Sequence, residues 1–119
     1  MVTIYQWAIY WANLNPVTGS EQAGRRPVVV VSCDEVNSLL NQVNILPLSS
    51  VKDPARRVYL NEVRLLKESS GLPKDSIVLA HQIRTLDKSR LEEKCGEITD
   101  DDIREKIHTA INYQLGIIV

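Results

Sequence analysis

The stretch "GSEQAGRRPVVVVS", Gly19 to Ser32, runs a polar loop straight into an apolar strand. Four successive valines are β-branched and suit a pleated surface. Pro27 stands at the start, where a lost ladder donor is tolerated. The run shows no apolar–polar alternation, so the strand is expected to be covered on both faces. Ahead of it, Gly19 and Gly24 bracket Glu21, and Arg25 and Arg26 close the loop. The Gly19–Gly24 spacing is that of a phosphate loop, but Arg25-Arg26 replace the required Lys-Ser/Thr. A strand also follows where a helix is needed, so a P-loop is rejected.

Outward from this strand, Ala8 to Leu14 reads as a strand that ends at the turn signal Asn15-Pro16. Gln42 to Ser50 reads as a third, with Pro47 pointing to an edge or a bulge. Arg56 to Val63 sets Val58 and Leu60 against Arg57, Tyr59 and Asn61, the alternation of a half-buried strand. Ser76 to Leu86 is the longest strand candidate, and the stretch from Asp87 to Cys95 is expected to hold a short helix capped by Asp87. Thr99 and Asp102 resemble a capping box, and three aspartates from Asp100 favour a helix start. Ile103, Ile107, Ala110, Ile111 and Leu115 then form one apolar stripe of a C-terminal helix. Five or so strands and one helix predict a mainly β fold, a small, partly closed antiparallel barrel. The apolar ending Gly116 to Val119 is expected to pack into the core or against a second subunit.

The 119 residues, 44% hydrophobic and 24% charged, fit one globular domain spanning 1–119. No apolar run reaches the roughly 18 to 20 residues of a membrane span. The opening "MVTIYQWAIYW" has no Lys, Arg or small-residue cleavage site, which sets the cytoplasm as the expected compartment. Cys33 and Cys95 lie far apart without metal-ligand spacing and read as free thiols; no metal or cofactor is expected. The net charge of −1 hides an asymmetry, because residues 1–91 hold 11 Lys+Arg against 8 Asp+Glu. The acidic excess sits in the tail, so the remaining surface is free to attract a polyanion.

The arginines give the loop its chemistry. A guanidinium donates two parallel hydrogen bonds to phosphate and stays charged at neutral pH. Glu21 has the chemistry of a base or of a group that orients an arginine.

The segments "IYWANLNPVTGSEQAGRRPVVVVS", "NILPLSS" and "DSIVLAHQIRTLDKSRL", in that order and spacing, resemble the MazF/PemK/Kid family of toxin endoribonucleases. The likeness covers roughly residues 8–91. It implies an SH3-like barrel related to the CcdB fold, a homodimer, and metal-independent cleavage of single-stranded RNA at short sequences. The cut would use the RNA's own 2′-hydroxyl and leave a 2′,3′-cyclic phosphate and a 5′-hydroxyl. The implied partner is an antitoxin whose tail blocks the RNA site, with operator DNA met only through that complex. Carried over by motif, the catalytic residues are Arg26, Ser49 and Glu21. Ser20, Gln22, Arg25, His81, Gln82 and Arg84 are the implied RNA contacts. The alternatives are a non-catalytic CcdB-like binder of a topoisomerase and an inactive, RNA-binding or autoregulatory relative.

Two departures from the family pattern stand out. His81 occupies a position where relatives often carry an acid, and an imidazole has a reference pKa near neutrality. Gln6-Trp7-Ala8 replaces the Arg-Gly-Asp that relatives commonly have. Trp7 and Trp11 are therefore candidates for base stacking, or for anchors in a core or interface. His108 is expected at the helix surface. Arg56, Arg57, Arg64, Lys67, Lys88 and Arg90 complete the positive charge of the middle section.

Overall fold

The valines of the opening stretch are covered on both sides. In the computed structural model, which describes residues 3–118, Val28 and Val30 enter one apolar cluster with Ala8, Tyr10, Ile45 and Leu86. Val29 and Val31 enter another with Ile9, Leu46, Leu48 and Ile107. All four are at most 9% exposed. At about 1.5–3 kcal/mol for each fully buried side chain of this size, the two faces together fix the strand firmly.

Among the described residues seven strands surround these clusters: β1 (Ala8–Asn13), β2 (Arg25–Val30), β3 (Gln42–Ser50), β4 (Glu62–Leu65), β5 (Ser76–Leu79), β6 (Arg84–Asp87) and β7 (Leu91–Glu97). They form an antiparallel sheet in the order β4-β5-β3-β2-β1-β7, with β6 paired to β3. The sheet does not close, since β4 and β7 are its ends. The mainly β expectation holds, with two more strands than the sequence suggests. Among the described residues two α-helices accompany the sheet, α1 (Asp34–Leu39) and α2 (Asp101–Leu115). Among the described residues no helix is long and apolar enough to cross a membrane.

Several elements differ from expectation. Pro47 marks neither an edge nor a bulge, because β3 lies inside the sheet. It pairs with β6 through Gln42–Ile45 and with β5 through Leu48–Ser50. Leu46 and Pro47 fall at the exchange of partners, where the missing N–H deprives no strand on that side. Residues 56–61 are a loop, and the alternating Val58 and Leu60 are exposed, Leu60 by 70%; only Glu62 and Val63 belong to β4. The long strand from Ser76 is broken into β5, a 3-10 turn at Ala80–Gln82, and β6. Asp87 does cap a turn, accepting from the Ser89 N–H, but that turn spans only Lys88–Arg90. The residues after it form β7, where a helix was expected. Neither α1 nor β7 has a counterpart among the elements expected from the sequence.

α2 is where the stripe predicts it. Its cap is Asp100, which accepts from the Asp102 N–H, one residue later than the proposed Thr99. Ile107 and Ala110 are buried and Ile103 and Ile111 pack against the core, whereas Leu115 is exposed. Ile117 and Ile118 also face outward in the single chain, so the apolar ending does not fill this core; Val119 lies outside the described residues.

Trp7 is a core anchor, not an open stacking platform, since it is 6% exposed. Its φ of +75° is a strained region for a bulky side chain. The backbone there is held from both sides: its N–H donates to Val30 at 2.7 Å and its carbonyl accepts from Ile98 at 2.9 Å. The indole meets α2 through the His108 ring at 5.0 Å and the Arg104 guanidinium at 5.6 Å. His108 is exposed, as expected, apart from that contact.

The order of two truncations tests this account. Trp7→Ala loses the packing and keeps the strain, so it should cost about 3–5 kcal/mol. Trp7→Gly loses the same packing but removes strain of about 1–3 kcal/mol. Urea unfolding should find the glycine variant more stable than the alanine variant, the reverse of the usual ranking. The usual ranking, alanine above glycine, would refute the strain.

Candidate functional site

The loop between β1 and β2 is tied down. The Leu14 N–H donates to the Gly24 carbonyl at 2.9 Å, and Gly24, at φ +83°, donates to Asn15 Oδ1 at 3.2 Å. The Glu21 carboxylate accepts from the Thr18 N–H, and the Glu21 N–H returns a bond to the Thr18 carbonyl. Side chains from residues 82–90 hold the loop from outside. Gln82 accepts from the Gln22 N–H at 3.1 Å and donates to the Ser20 carbonyl at 3.4 Å. Arg84 donates to Leu14 O at 2.9 Å, and Arg90 to Asn13 O and Asn15 O. Arg84 and Arg90 thus buttress the loop with their guanidiniums.

Between this loop and the 81–84 segment lies a groove of about 540 Å³. It brings together Ser20, Glu21, Gln22, His81, Gln82 and Arg84, residues more than 55 positions apart in sequence. Thr18 and Pro47 also line it. Alternation along β3 puts Ser49 on the same face as Pro47. Ser49 is half-buried and lies opposite Ile77 in the β3–β5 ladder. His81 is exposed on the 3-10 turn, not on a strand.

Arg25 and Arg26 line a separate cleft of about 430 Å³ with Trp11, Leu48 and Lys74. Their environments are opposite. Arg25 lies 4.5 Å over the Trp11 ring and donates to Glu92 at 2.7 Å and Glu93 at 2.8 Å. Its charge is already answered, so any anion would compete with two carboxylates. Arg26 is half-buried, and its partners are neutral oxygens. Nε donates to Ala23 O at 2.8 Å and Nη1 to Leu48 O at 3.2 Å. With its amide oxygen turned inward, Gln22 accepts from Nη1 at 2.7 Å and Nη2 at 2.9 Å. Burial lowers the Arg26 pKa from its ordinary value, yet a guanidinium remains charged near neutrality. Continuing the β2–β3 register two places past Val28–Pro47 sets Arg26 across from Ser49.

No pattern in the sequence announces a third, larger cleft of about 710 Å³, lined by Arg57 to Glu62, His81, Tyr113 and Gln114. Arg56 grips Glu62 there through Nη1 at 3.1 Å and Nη2 at 2.8 Å, and Glu62 also accepts from the Tyr59 N–H. A six-residue separation has no periodic signature, so only the folded loop reveals the clamp.

The chain matches the model of the PemK-like, MazF-like toxins of type II toxin-antitoxin systems over residues 5–115. The protein is a member of that family. It is 38% identical over 109 residues to the endoribonuclease MazF of Staphylococcus saprophyticus, covering 92% of this chain and 88% of that protein. Its fold is similar to that of MazF from Deinococcus radiodurans, at a TM-score of 0.80 and 28% identity over 98% and 99% of the two chains. A mycobacterial endoribonuclease solved with its cognate antitoxin is similar at 0.77 and 25%, with 98% of each chain covered. The resemblance drawn from the sequence motifs and the MazF-type fold are thereby established.

Glu62 yields a pH prediction. Its carboxyl sits below the usual carboxylate range, first because of the Arg56 hydrogen bonds. A depressed folded pKa stabilises the fold above the unfolded pKa and is lost as pH falls through the folded value. Glu62→Gln should therefore cost about 1–3 kcal/mol at pH 7. The gap from wild type should close as urea unfolding is repeated from about pH 5 downward. A gap that is constant with pH would contradict the ionic role.

Proposed function

We propose that this protein is an endoribonuclease toxin that cleaves single-stranded RNA at short sequences without a metal, as a cytoplasmic homodimer neutralised by a cognate antitoxin. Family membership and the names borne by its relatives support the activity class. The observation that carries the mechanism is Arg26, a half-buried cation held by neutral oxygens at the lip of a rigid strand.

In the reaction, the RNA 2′-oxygen attacks the adjacent phosphorus while its proton passes to a base. The bond to the 5′-oxygen of the next nucleotide breaks, and that oxygen takes up a proton. The products are a 2′,3′-cyclic phosphate and a 5′-hydroxyl. Negative charge grows on the nonbridging oxygens, and a fixed cation stabilises that charge more in the transition state than in the ground state. Arg26 supplies it. Its carbonyl and amide partners hold the guanidinium without neutralising it.

Ser49 has a hydroxyl that keeps its proton, so its role is to hydrogen-bond the phosphate or orient the nucleophile. Glu21 is the carboxylate of the groove; one oxygen accepts from Thr18, and the residue assists from the loop as a base or by orienting an arginine. Ser20, His81 and Arg84 line the path for the RNA strand, Gln22 and Gln82 hold the loop beside it, and Arg25 contributes where RNA displaces Glu92 and Glu93.

The test is cleavage of single-stranded RNA in EDTA, with product ends mapped. Wild type should cut at a short motif with cyclic phosphate ends, and folded Arg26→Ala should lose about 10²–10³ in kcat. A folded wild type that leaves RNA intact would overturn the proposal and direct attention to topoisomerase binding.

A further inference from the structure

No hydrogen bond joins Gln82 to Arg26, yet the two are connected. The Gln82 side-chain oxygen accepts from the Gln22 N–H at 3.1 Å, and its amide N–H reaches Ser20 O at 3.4 Å. With its amide oxygen turned inward, Gln22 in turn accepts from both terminal nitrogens of Arg26. Gln82 sits on the 3-10 turn Ala80–Gln82, whose Ala80 is buried in the core and whose Ala80 N–H donates to Asn61 O at 3.0 Å. One anchored amide thus fixes the backbone of Gln22, and Gln22 fixes the guanidinium. Ala23 O, the acceptor for Arg26 Nε at 2.8 Å, is the next carbonyl along the same loop.

From this chain of contacts we propose that Gln82 is a positioning residue for RNA cleavage, acting on Arg26 through Gln22. The proposal rests on the endoribonuclease reading above. Both ends of the Gln82 amide are engaged by the loop, so its work is on the protein's own geometry. A guanidinium swung out of place still carries its charge, but that charge no longer meets the reacting phosphate. The consequence falls on kcat, with RNA affinity kept by the other groove residues.

Two readouts test it. In RNA cleavage, Gln82→Ala and Gln22→Ala should each lower kcat about tenfold with KM changed less than about threefold. The double variant should lose no more than either single one, as members of one relay do. Gln82→Glu keeps an acceptor for the Gln22 N–H and should restore most of kcat. Independently of activity, the Arg26 Nε–H resonance of labelled protein without RNA should move in Gln82→Ala as it does in Gln22→Ala. An unmoved Arg26 resonance in Gln82→Ala overturns the relay even if RNA is cut. So does a rise in KM alone, which would make Gln82 an RNA contact, or multiplicative loss in the double variant. Absence of cleavage by wild type, with the Arg26 resonance responding as expected, would instead remove the ribonuclease reading and leave the relay standing.

Discussion

The pairing of β2 with β3 is the constraint on which the remaining structure depends. Val28, Val29 and Val30 lie against Pro47, Leu46 and Ile45, and each valine is fully buried. A strand covered on both faces has no free side toward which to tilt, and a one-residue slip would move every valine into the wrong cluster. The register is therefore fixed, and with it the positions of Arg26 and Ser49 beyond its end. β3 also exchanges β6 for β5 at Leu46–Pro47. That exchange leaves room for the 3-10 turn carrying His81 and Gln82, which faces the loop before β2. Groove and cation are both consequences of one ladder.

Arg25 and Arg26 show how adjacent, identical residues acquire different chemistry. Successive side chains of a strand point to opposite faces. Arg25 falls toward Trp11 and the Glu92–Glu93 pair of β7, and is exposed and neutralised. Exposed pairs of this kind contribute little to stability, so they yield readily to a competing polyanion. Arg26 turns toward the loop carbonyls. Burial without a counter-charge raises the cost of its charge, and hydrogen bonds to neutral oxygens offset part of that cost. A cation in that state gains most when a phosphate arrives.

Strongly patterned elements were legible in the sequence, and weakly patterned ones were not. The valine run and the Gln42–Ser50 strand carry strong apolar and β-branched signals, and the α2 stripe a helical period, and all three elements form where they were expected. β7 reads "LEEKCGE", an edge strand whose polar residues face water, so it offers no apolar signal. Residues 56–61 mislead in the other direction, because Val58 and Leu60 alternate like a strand yet sit exposed on a loop. The break at Ala80–Gln82 has no Gly or Pro to announce it. At the site, the motif residues of the loop and of the 81–84 segment could be named in advance. That Ser20 and Gln22 are latched by Gln82, or that Arg25 is engaged by Glu92 and Glu93, depends on tertiary contacts that no spacing encodes.

Energy scales separate the fixed parts of the site from the movable ones. The latches on the loop from Asn15 to Gly24 are exposed or half-buried hydrogen bonds, each contributing about 0.5–1.5 kcal/mol net. Elements held that weakly open locally without unfolding the remainder. The valines beneath hold β2 with several times that free energy. Trp7 extends the rigid side: a residue whose backbone conformation is unfavourable is kept because its N–H and carbonyl tie Val30 to Ile98, and its ring packs on α2. Strain tolerated at that point closes the core behind β2. The loop in front of it can exchange its own hydrogen bonds for those of a bound chain. A ligand that replaces the Gln82 latch with its own contacts would therefore reach Arg26 through Gln22, without disturbing the fold that carries it.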